Sequence, residues 1–153
     1  MADTYYLKTL AGPMKIILEN NYITAAEFVT DKSKVNYKAD PQSMELGEEL
    51  NDYLSGYATK LTSKYKLSGT SFQLKVWNAI KKIPYGETMT YSELAKSIGF
   101  PTSCRAVANA CGQNKLVFFI PCHRVVGKNN LGGYKWGLEL KSWILDQETT
   151  NKN

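Results

Sequence analysis

The sequence predicts an α/β fold in two parts: a small antiparallel sheet with one helix over residues 1–68, and a mostly helical domain over residues 69–153. Two observations predict this division. Short segments rich in β-branched and aromatic residues, separated by turn residues, fill the first third of the chain. Capping boxes followed by apolar residues at helical spacing fill most of the remainder.

The predicted strands span residues 4–10, 14–19 and 22–29. An Ala-Gly-Pro sequence separates the first two, and Asn20-Asn21 separates the second from the third. Both connections contain residues typical of tight turns. Two short turns between three consecutive strands predict an antiparallel arrangement.

One helix is predicted to complete the first part. Residues 31–40 are polar and predict a loop or a weak strand. Asp40-Pro41 then predicts a helix start, because aspartate caps a helix and proline suits its first position. Gly56 is predicted to end this helix, and residues 57–68 form a linker that includes at most a short strand.

Four helices are predicted in the second part. Thr70-Ser-Phe-Gln73 and Thr90-Tyr-Ser-Glu93 are capping boxes that open the first two, which end at Pro84 and near Gly99. The third runs from Pro101 to about residue 113, and the last covers about residues 138–148. The second and third helices, separated by four residues, form a helix-turn-helix candidate, a pattern of low specificity by itself.

A cysteine and the only histidine of the chain stand side by side, as Cys122 and His123. The apolar residues 116–120 predict a buried strand that Pro121 ends. An imidazole that accepts the thiol proton makes cysteine a nucleophile, although most buried cysteines are only core residues. Neighbouring side chains point apart, so this pair needs a turn or a bridging water to share a proton.

Three motifs carry a resemblance to a known family. They are Arg105-Ala-Val-Ala-Asn-Ala-Cys-Gly-Gln-Asn114, Ile120-Pro-Cys-His-Arg-Val-Val126 and Leu131-Gly-Gly-Tyr-Lys-Trp-Gly-Leu138. Together they resemble the O6-alkylguanine-DNA alkyltransferases over residues 70–148. The resemblance implies a ribonuclease H-like N-terminal domain and a winged helix-turn-helix-like catalytic domain. It also implies single-turnover, irreversible repair of O6-alkylguanine, leaving O4-alkylthymine open.

The resemblance implies a role for five residues in the chemistry. Cys122 would be the alkyl acceptor, and His123 its general base through a water. Glu148 would orient the histidine, although its place near the C-terminus alone suggests a solvated charge. Asn114 would brace the turn that holds the cysteine, and Tyr91 would contact the leaving guanine.

The resemblance also implies contacts with double-stranded DNA in the minor groove around a flipped base. Arg105 would fill the gap left by the flipped nucleotide, since a planar cation can stack and hydrogen-bond together. Tyr134 would line the guanine pocket, and the Val125 carbonyl would accept from the guanine amino group. Small side chains at Ala106, Ala108 and Ala110 would permit close approach. The other implied contact residues are Ser103, Cys104 and Lys135. Arg124 is expected to form a structural ion pair.

Charge and composition agree with a nucleic-acid partner. Residues 69–153 carry 11 lysines and arginines against 5 acids, whereas residues 1–68 carry 8 against 9. A basic surface attracts phosphates without regard to sequence. No apolar run reaches a membrane span and no signal peptide is visible, so we expect a cytoplasmic monomer that does not bind membranes.

No cofactor or metal is expected. The zinc site of some family members needs more ligands than this N-terminal part offers, because no cysteine precedes Cys104. Cys104 and Cys111, seven residues apart on one helical face, are expected to be small packing residues. No second thiol is expected beside the reactive one.

Three other classes stay open. Alkyltransferase-like binding modules lack the cysteine, which Cys122 argues against. A cysteine hydrolase would use the same residues but turn over repeatedly, and a transcription regulator would bind a specific sequence without alkyl transfer. Lys135-Trp136 stands where many family members have small residues, which predicts a narrow pocket.

Overall fold

The computed structural model describes residues 2–38 and 40–152. The described chain divides into two compact units. The first contains the chain up to Lys66 together with Lys115–Val117, and the second contains Leu67–Asn114 and the chain from Phe118 onward.

The first unit contains a three-stranded antiparallel sheet in the order β1-β2-β3. The strands are β1 (Ala2–Thr9), β2 (Gly12–Glu19) and β3 (Tyr22–Phe28). Asn20 and Asn21 both have positive φ, 52° and 67°, which a two-residue type I′ hairpin turn requires. The predicted strands and their antiparallel order are therefore confirmed.

Helix α1 (Pro41–Leu54) packs against the sheet. The Asp40 carboxylate accepts a hydrogen bond from the Ser43 amide at 2.9 Å, so the predicted cap and proline start are both present. Leu46, Leu50, Tyr53 and Leu54 are buried on its inner face. A 3-10 turn, Lys32–Lys34, lies in the described part of the preceding loop.

The predicted strand at residues 116–120 is wrong, although all five side chains are buried. Leu116 makes an isolated parallel bridge to Ala26 of β3, and the Val117 amide donates to the Ala26 carbonyl at 2.9 Å. Phe118 then takes φ 71°, a left-handed conformation that extended strands do not contain. The apolar run predicted burial correctly but not backbone direction.

The described residues of the second unit form four α-helices, one 3-10 turn and one pair of very short strands. The helices are α2 (Ser71–Ile80), α3 (Tyr91–Ser97), α4 (Cys104–Gly112) and α5 (Leu138–Asn151). Strands β4 (Met89–Thr90) and β5 (Val125–Val126) pair in parallel. None of the helices in the described part of the chain is long and apolar enough to cross a membrane.

Both predicted capping boxes are present. The Thr70 hydroxyl accepts from the Gln73 amide at 3.1 Å and the Gln73 side chain accepts from the Thr70 amide at 2.9 Å. Thr90 and Glu93 repeat both bonds at the start of α3. Helices α2, α3 and α4 pack on one another around buried apolar side chains. These include Val76, Ile80, Leu94 and Val107.

Helix α2 ends at Ile80 rather than at Pro84, and two further helix boundaries differ from the prediction. Helix α4 begins at Cys104 rather than at Pro101, because residues 100–103 form a turn in which the Ser103 amide donates to the Phe100 carbonyl at 3.0 Å. Helix α5 continues to Asn151, three residues past the predicted end. Neither change alters the helix-turn-helix order of α3 and α4.

Candidate active site

Cys122 begins a single 3-10 turn, Cys122–Arg124, directly after Pro121. The turn is closed by the Arg124 amide, which donates to the Pro121 carbonyl at 3.0 Å. A tight turn changes the directions of neighbouring side chains, which a strand would send to opposite faces. The Asn114 amide group donates to the Ile120 carbonyl at 2.9 Å, and so links the end of α4 to the residues that precede the turn.

Glu148 of α5 binds the side chains of both residues that follow the cysteine, His123 and Arg124. Its carboxylate lies 2.7 Å from His123 Nε2 and accepts two bonds from Arg124, at 2.8 Å from Nε and 3.0 Å from Nη2. Arg124 Nη1 also donates to the Ile83 carbonyl at 2.8 Å. Arg124 is thus the structural ion-pair former that the sequence predicted. Glu148 is only 2% exposed, so the solvated charge suggested by its position alone is wrong.

This arrangement determines the state of the imidazole. Burial lowers the pKa of His123 and so favours the neutral ring. The hydrogen bond and the charge of Glu148 oppose this shift. With Nε2 facing a carboxylate, the neutral tautomer carries its proton there and donates it to Glu148. Nδ1 is then a proton acceptor, and it has no hydrogen-bond partner among the described residues.

The carboxylate itself is stabilised as an anion. Burial alone would raise the pKa of Glu148, but hydrogen bonds from His123 and Arg124 and the charge of Arg124 outweigh it and lower the pKa to about 2. Glu148 therefore stays ionised across the neutral range. It can hold the ring in one orientation and stabilise the imidazolium that forms when Nδ1 accepts a proton.

Sequence reasoning missed Lys141, which is fully buried in α5. Its Nζ donates to the Val125 carbonyl at 2.6 Å and to the Gly133 carbonyl at 2.9 Å. Burial lowers its pKa to about 8, against the opposing effect of the Cys111 and Cys122 thiols. A charged amine near these thiols favours the thiolate. A helical signal was available, because Lys141, Ile144 and Glu148 share one face of α5 and are its buried residues.

The surroundings of Cys122 favour its protonated thiol. Interaction with the Cys111 side chain, burial and the charge of Cys111 raise the pKa of Cys122, while Asn114 and Lys141 oppose the rise. A proton acceptor is therefore needed before the sulfur can act as a nucleophile.

The two tyrosines predicted to contact the base lie near this centre. The Tyr91 hydroxyl accepts from the Gly133 amide at 3.2 Å. The Tyr91 ring would lie 2.6 Å from a β-carbon added at Gly132, so this loop needs glycine, whose φ is 73° there. Burial, then the charges of Cys122 and Glu148, raise the pKa of Tyr134. Burial also raises the pKa of Tyr91, so both phenols remain protonated hydrogen-bond donors at neutral pH.

Helix α4 presents a small-residue surface to solvent. Arg105, Ala106 and Asn109 are exposed, whereas Ala108 is half-buried. Ala110 is only 2% exposed and its carbonyl accepts from Trp77 Nε1 at 2.9 Å, so the expected contribution of Ala110 to a close approach is wrong. Ser103 and Cys104 are half-buried, and Lys135 is exposed with its Nζ 4.8 Å from the Trp136 ring centre. Within residues 2–38 and 40–152, no cluster of three metal-ligating side chains occurs.

Comparison with known proteins places this site in a family. Residues 71–150 match the family described as 6-O-methylguanine DNA methyltransferase, DNA binding domain. A probable methylated-DNA–protein-cysteine methyltransferase of Acanthamoeba polyphaga mimivirus is 46% identical over 148 residues, which is 95% of each chain. The chain belongs to the O6-methylguanine-DNA methyltransferase family.

Other members of the family agree in sequence and fold. A methylated-DNA–protein-cysteine methyltransferase of Methanosarcina acetivorans is 38% identical over 94% of this chain and 83% of its own length. The crystal structure of Mycobacterium tuberculosis OGT in complex with DNA has a TM-score of 0.86 and 33% identity, covering 97% of this chain and 93% of that one. The two-part α/β fold of this methyltransferase-family chain therefore has a solved counterpart over nearly its whole length.

Proposed function

We propose that this chain repairs DNA by moving one alkyl group from O6-alkylguanine to Cys122, irreversibly and once per molecule. The observation that carries the proposal is the 2.7 Å contact between His123 Nε2 and Glu148, which leaves Nδ1 free to accept a proton on the residue that directly follows Cys122 in sequence. The relatives named as methylated-DNA–protein-cysteine methyltransferases, and the one solved with DNA, support the substrate class.

The proposed reaction has one displacement step. The Cys122 thiol gives its proton to His123 Nδ1 through a water, and the sulfur attacks the alkyl carbon while the bond from that carbon to guanine O6 breaks. The Glu148 carboxylate stabilises the imidazolium, and the Lys141 amine stabilises the emerging thiolate. The leaving guanine takes a proton from the Tyr91 hydroxyl, and the proton held by His123 returns to Tyr91 through water, so that overall the thiol proton replaces the alkyl group on guanine. A thioether remains on Cys122, and the sulfur is not regenerated.

Three other groups are proposed to position the base or the turn beside it. Tyr134 lines the guanine pocket, and Asn114 holds the turn through its bond to the Ile120 carbonyl. The Val125 carbonyl accepts from the guanine amino group, which it can do alongside Lys141 because a carbonyl oxygen has two lone pairs. The base reaches this centre only if it leaves the stack, so we propose base flipping.

Helix α4 is proposed to enter the minor groove as the second helix of a helix-turn-helix unit. Exposed Arg105 replaces the flipped base in the stack, and exposed Ala106 and half-buried Ala108 allow the helix close to the sugar-phosphate backbone. Ser103, Cys104 and Lys135 complete the proposed contact surface.

Finer features of the fold belong to the same proposal. We propose a ribonuclease H-like N-terminal domain over residues 1–68 and a winged helix-turn-helix-like domain over residues 69–153. The parallel pair β4 and β5 beside α3 supports the second description. We also propose that the chain works as a cytoplasmic monomer, where a reducing environment keeps Cys122 as a thiol.

The test is the number of alkyl groups transferred per molecule. A duplex with tritium-labelled O6-methylguanine is mixed in tenfold excess with the protein, and protein-bound label is followed to completion. We expect the label to stop at one methyl group per molecule. A cysteine hydrolase, which the Cys-His-Glu arrangement also suits, would keep releasing product and leave no label on the protein. Cys122→Ala serves as the matched control and should retain no label.

A further inference from the structure

Phe118 has a backbone conformation that its residue type rarely adopts. Its φ is 71°, in the left-handed region that favours glycine. Among the described residues other than glycine, only Asn20 and Asn21 also have positive φ, and both belong to a hairpin turn that suits asparagine. A bulky residue in this region is strained, and strained residues cluster at functional sites. The chain therefore keeps a large ring at position 118 in spite of the backbone, which indicates that the ring has a role of its own.

The Phe118 ring lies against the imidazole of His123. The two ring centres are 6.0 Å apart and the ring planes meet at 67°, which is the edge-to-face arrangement that aromatic pairs prefer. Phe118 is 3% exposed and His123 is 1% exposed, so the contact is shielded from bulk water. Because His123 is the only histidine of the chain, the partner of Phe118 is the one imidazole that can serve as a proton acceptor.

Consecutive tight turns bring these two rings together. An extended segment would separate residues five positions apart by about 17 Å. Here the left-handed Phe118 is followed by a turn in which the Cys122 amide donates to the Ile120 carbonyl at 2.7 Å across Pro121, and then by the 3-10 turn that contains His123. The turn that holds the reactive cysteine thus also places the ring of Phe118 beside the imidazole.

The hydrogen bond to Glu148 fixes only one atom of the imidazole. Nε2 of His123 lies 2.7 Å from the carboxylate, but the ring can still turn about that contact, and turning moves Nδ1. Nδ1 has no hydrogen-bond partner among the described residues, so no polar contact at that atom holds the plane of the ring. A closely packed aromatic ring can supply this restraint, because buried side chains leave little free space for one another.

We propose that Phe118 is a positioning residue for the general base: its ring holds the plane of the His123 imidazole, so that Nδ1 faces the water that takes the Cys122 proton. This role rests on the alkyl transfer proposed above, in which His123 accepts that proton. The restraint on the imidazole is a property of the fold and does not depend on alkyl transfer. The two proposals can therefore fail separately.

The restraint can be measured directly, because the only histidine gives one imidazole signal. The protein is labelled with carbon-13 at Cε1 of histidine, and nuclear spin relaxation gives the order parameter of that C–H bond. We expect about 0.85 for the wild type, as for a rigid backbone, and less than about 0.6 for Phe118→Leu and Phe118→Met. Both substitutions remove the ring and keep an apolar side chain, and one folded variant is enough for the test.

The matched control removes a ring pair of the same kind elsewhere in the second unit. Phe72 and Phe100 also meet edge to face, with ring centres 5.5 Å apart and an angle of 78°. Phe72→Leu therefore makes the same chemical change without touching the Phe118 ring. It should leave the order parameter of the imidazole unchanged.

Transfer rates separate positioning from a purely structural role. With duplex O6-methylguanine in single-turnover reactions, Phe118→Leu should be slower by about tenfold or more while its affinity for DNA stays within about twofold, because orientation affects the chemical step. Phe118→Tyr keeps the ring and should stay within about threefold of the wild-type rate. Phe118→Gly accepts the left-handed φ without strain but lacks the ring, and should be as slow as Phe118→Leu.

Three results would overturn the proposal: a mobile imidazole in the wild type, an imidazole that stays ordered in a folded Phe118→Leu or Phe118→Met, or a Phe118→Gly variant as fast as the wild type. The last would mean that position 118 serves only the backbone turn. An imidazole that is ordered in the wild type and mobile in the variants, in a protein that accepts no methyl group, would support the restraint and remove only the proposed repair function.

Discussion

At the scale of single residues, the site depends on a buried charge cluster around Glu148. One carboxylate accepts from both His123 and Arg124, and so positions an imidazole that would otherwise be free to rotate. Burial makes every interaction in this cluster stronger than it would be at the surface. The residue-scale predictions therefore concern Glu148 and the unusual Trp136.

We predict that Glu148→Gln slows methyl transfer by about 10- to 100-fold, because the amide can neither stabilise the imidazolium nor require a proton on Nε2. The pH profile should change as well, since loss of the carboxylate lowers the pKa of His123 further. Glu139→Gln, an exposed change on the same helix, is the matched control. Single-turnover rates from pH 5 to 9 measure both effects. A slower rate with an unchanged profile would indicate that Glu148 only supports the fold.

The width of the base pocket is tested at Trp136. A large ring where many family members have small residues should exclude bulky lesions, and a steric misfit of this kind typically changes rates by about 10- to 200-fold. Trp136→Gly should raise the rate with O6-benzylguanine relative to O6-methylguanine by about tenfold, and Lys135→Gly should leave that ratio unchanged. Equal use of both lesions by the wild type would show that the pocket is not narrow.

At the scale of elements, the pair α3 and α4 presents Arg105 on an exposed helix surface. Arg105→Ala should slow repair of duplex DNA by about tenfold or more, because the arginine offsets part of the few kcal/mol needed to unstack a base. Reaction with free O6-methylguanine needs no flipping and should change by less than about threefold. Lys96→Ala, an exposed cation on α3, controls for general phosphate attraction. Equal losses on both substrates would remove the role in flipping.

The elements also show how far sequence reasoning reaches. Capping boxes and hairpin turns are local interactions, so α2, α3 and the three strands could be predicted from neighbouring residues. The strand predicted at residues 116–120 failed because a left-handed Phe118 is dictated by packing rather than by the apolar pattern.

Two residues of the site were not predicted from sequence for the same reason. Lys141 was overlooked because lysine is rarely buried, and its partners are backbone carbonyls from strand β5 and from the loop at Gly133. Cys111 was interpreted as a packing residue because its effect on the pKa of Cys122 depends on the fold between them. The resemblance identified Cys122, His123 and Glu148 as site residues, but it could not predict the distances between them.

At the scale of the whole molecule, Glu148 links the site to acid stability. Its pKa is about 2 in the fold against an ordinary 4.5, so its ionised form stabilises the native state above about pH 4.5. That stabilisation, about 3 kcal/mol, should be lost as the pH falls from 4.5 towards 2. Urea unfolding at several pH values should show that the free energy of unfolding falls more steeply with decreasing pH for wild type than for Glu148→Gln. Parallel plots of unfolding free energy against pH for the two proteins would mean that the pKa of Glu148 is not shifted in the fold.

The most direct measurement of the central claim is the position of the transferred group. The protein is incubated with a duplex containing O6-methylguanine, digested with trypsin and analysed by mass spectrometry. We predict that peptide 116–124 alone gains about 14 Da, one methyl group in place of one hydrogen. Peptides 97–105 and 106–115 should be unchanged, and Cys122→Ala should carry no methyl group on any of the three. A methyl group on Cys104 or Cys111, or complete repair with no change in mass, would contradict the account.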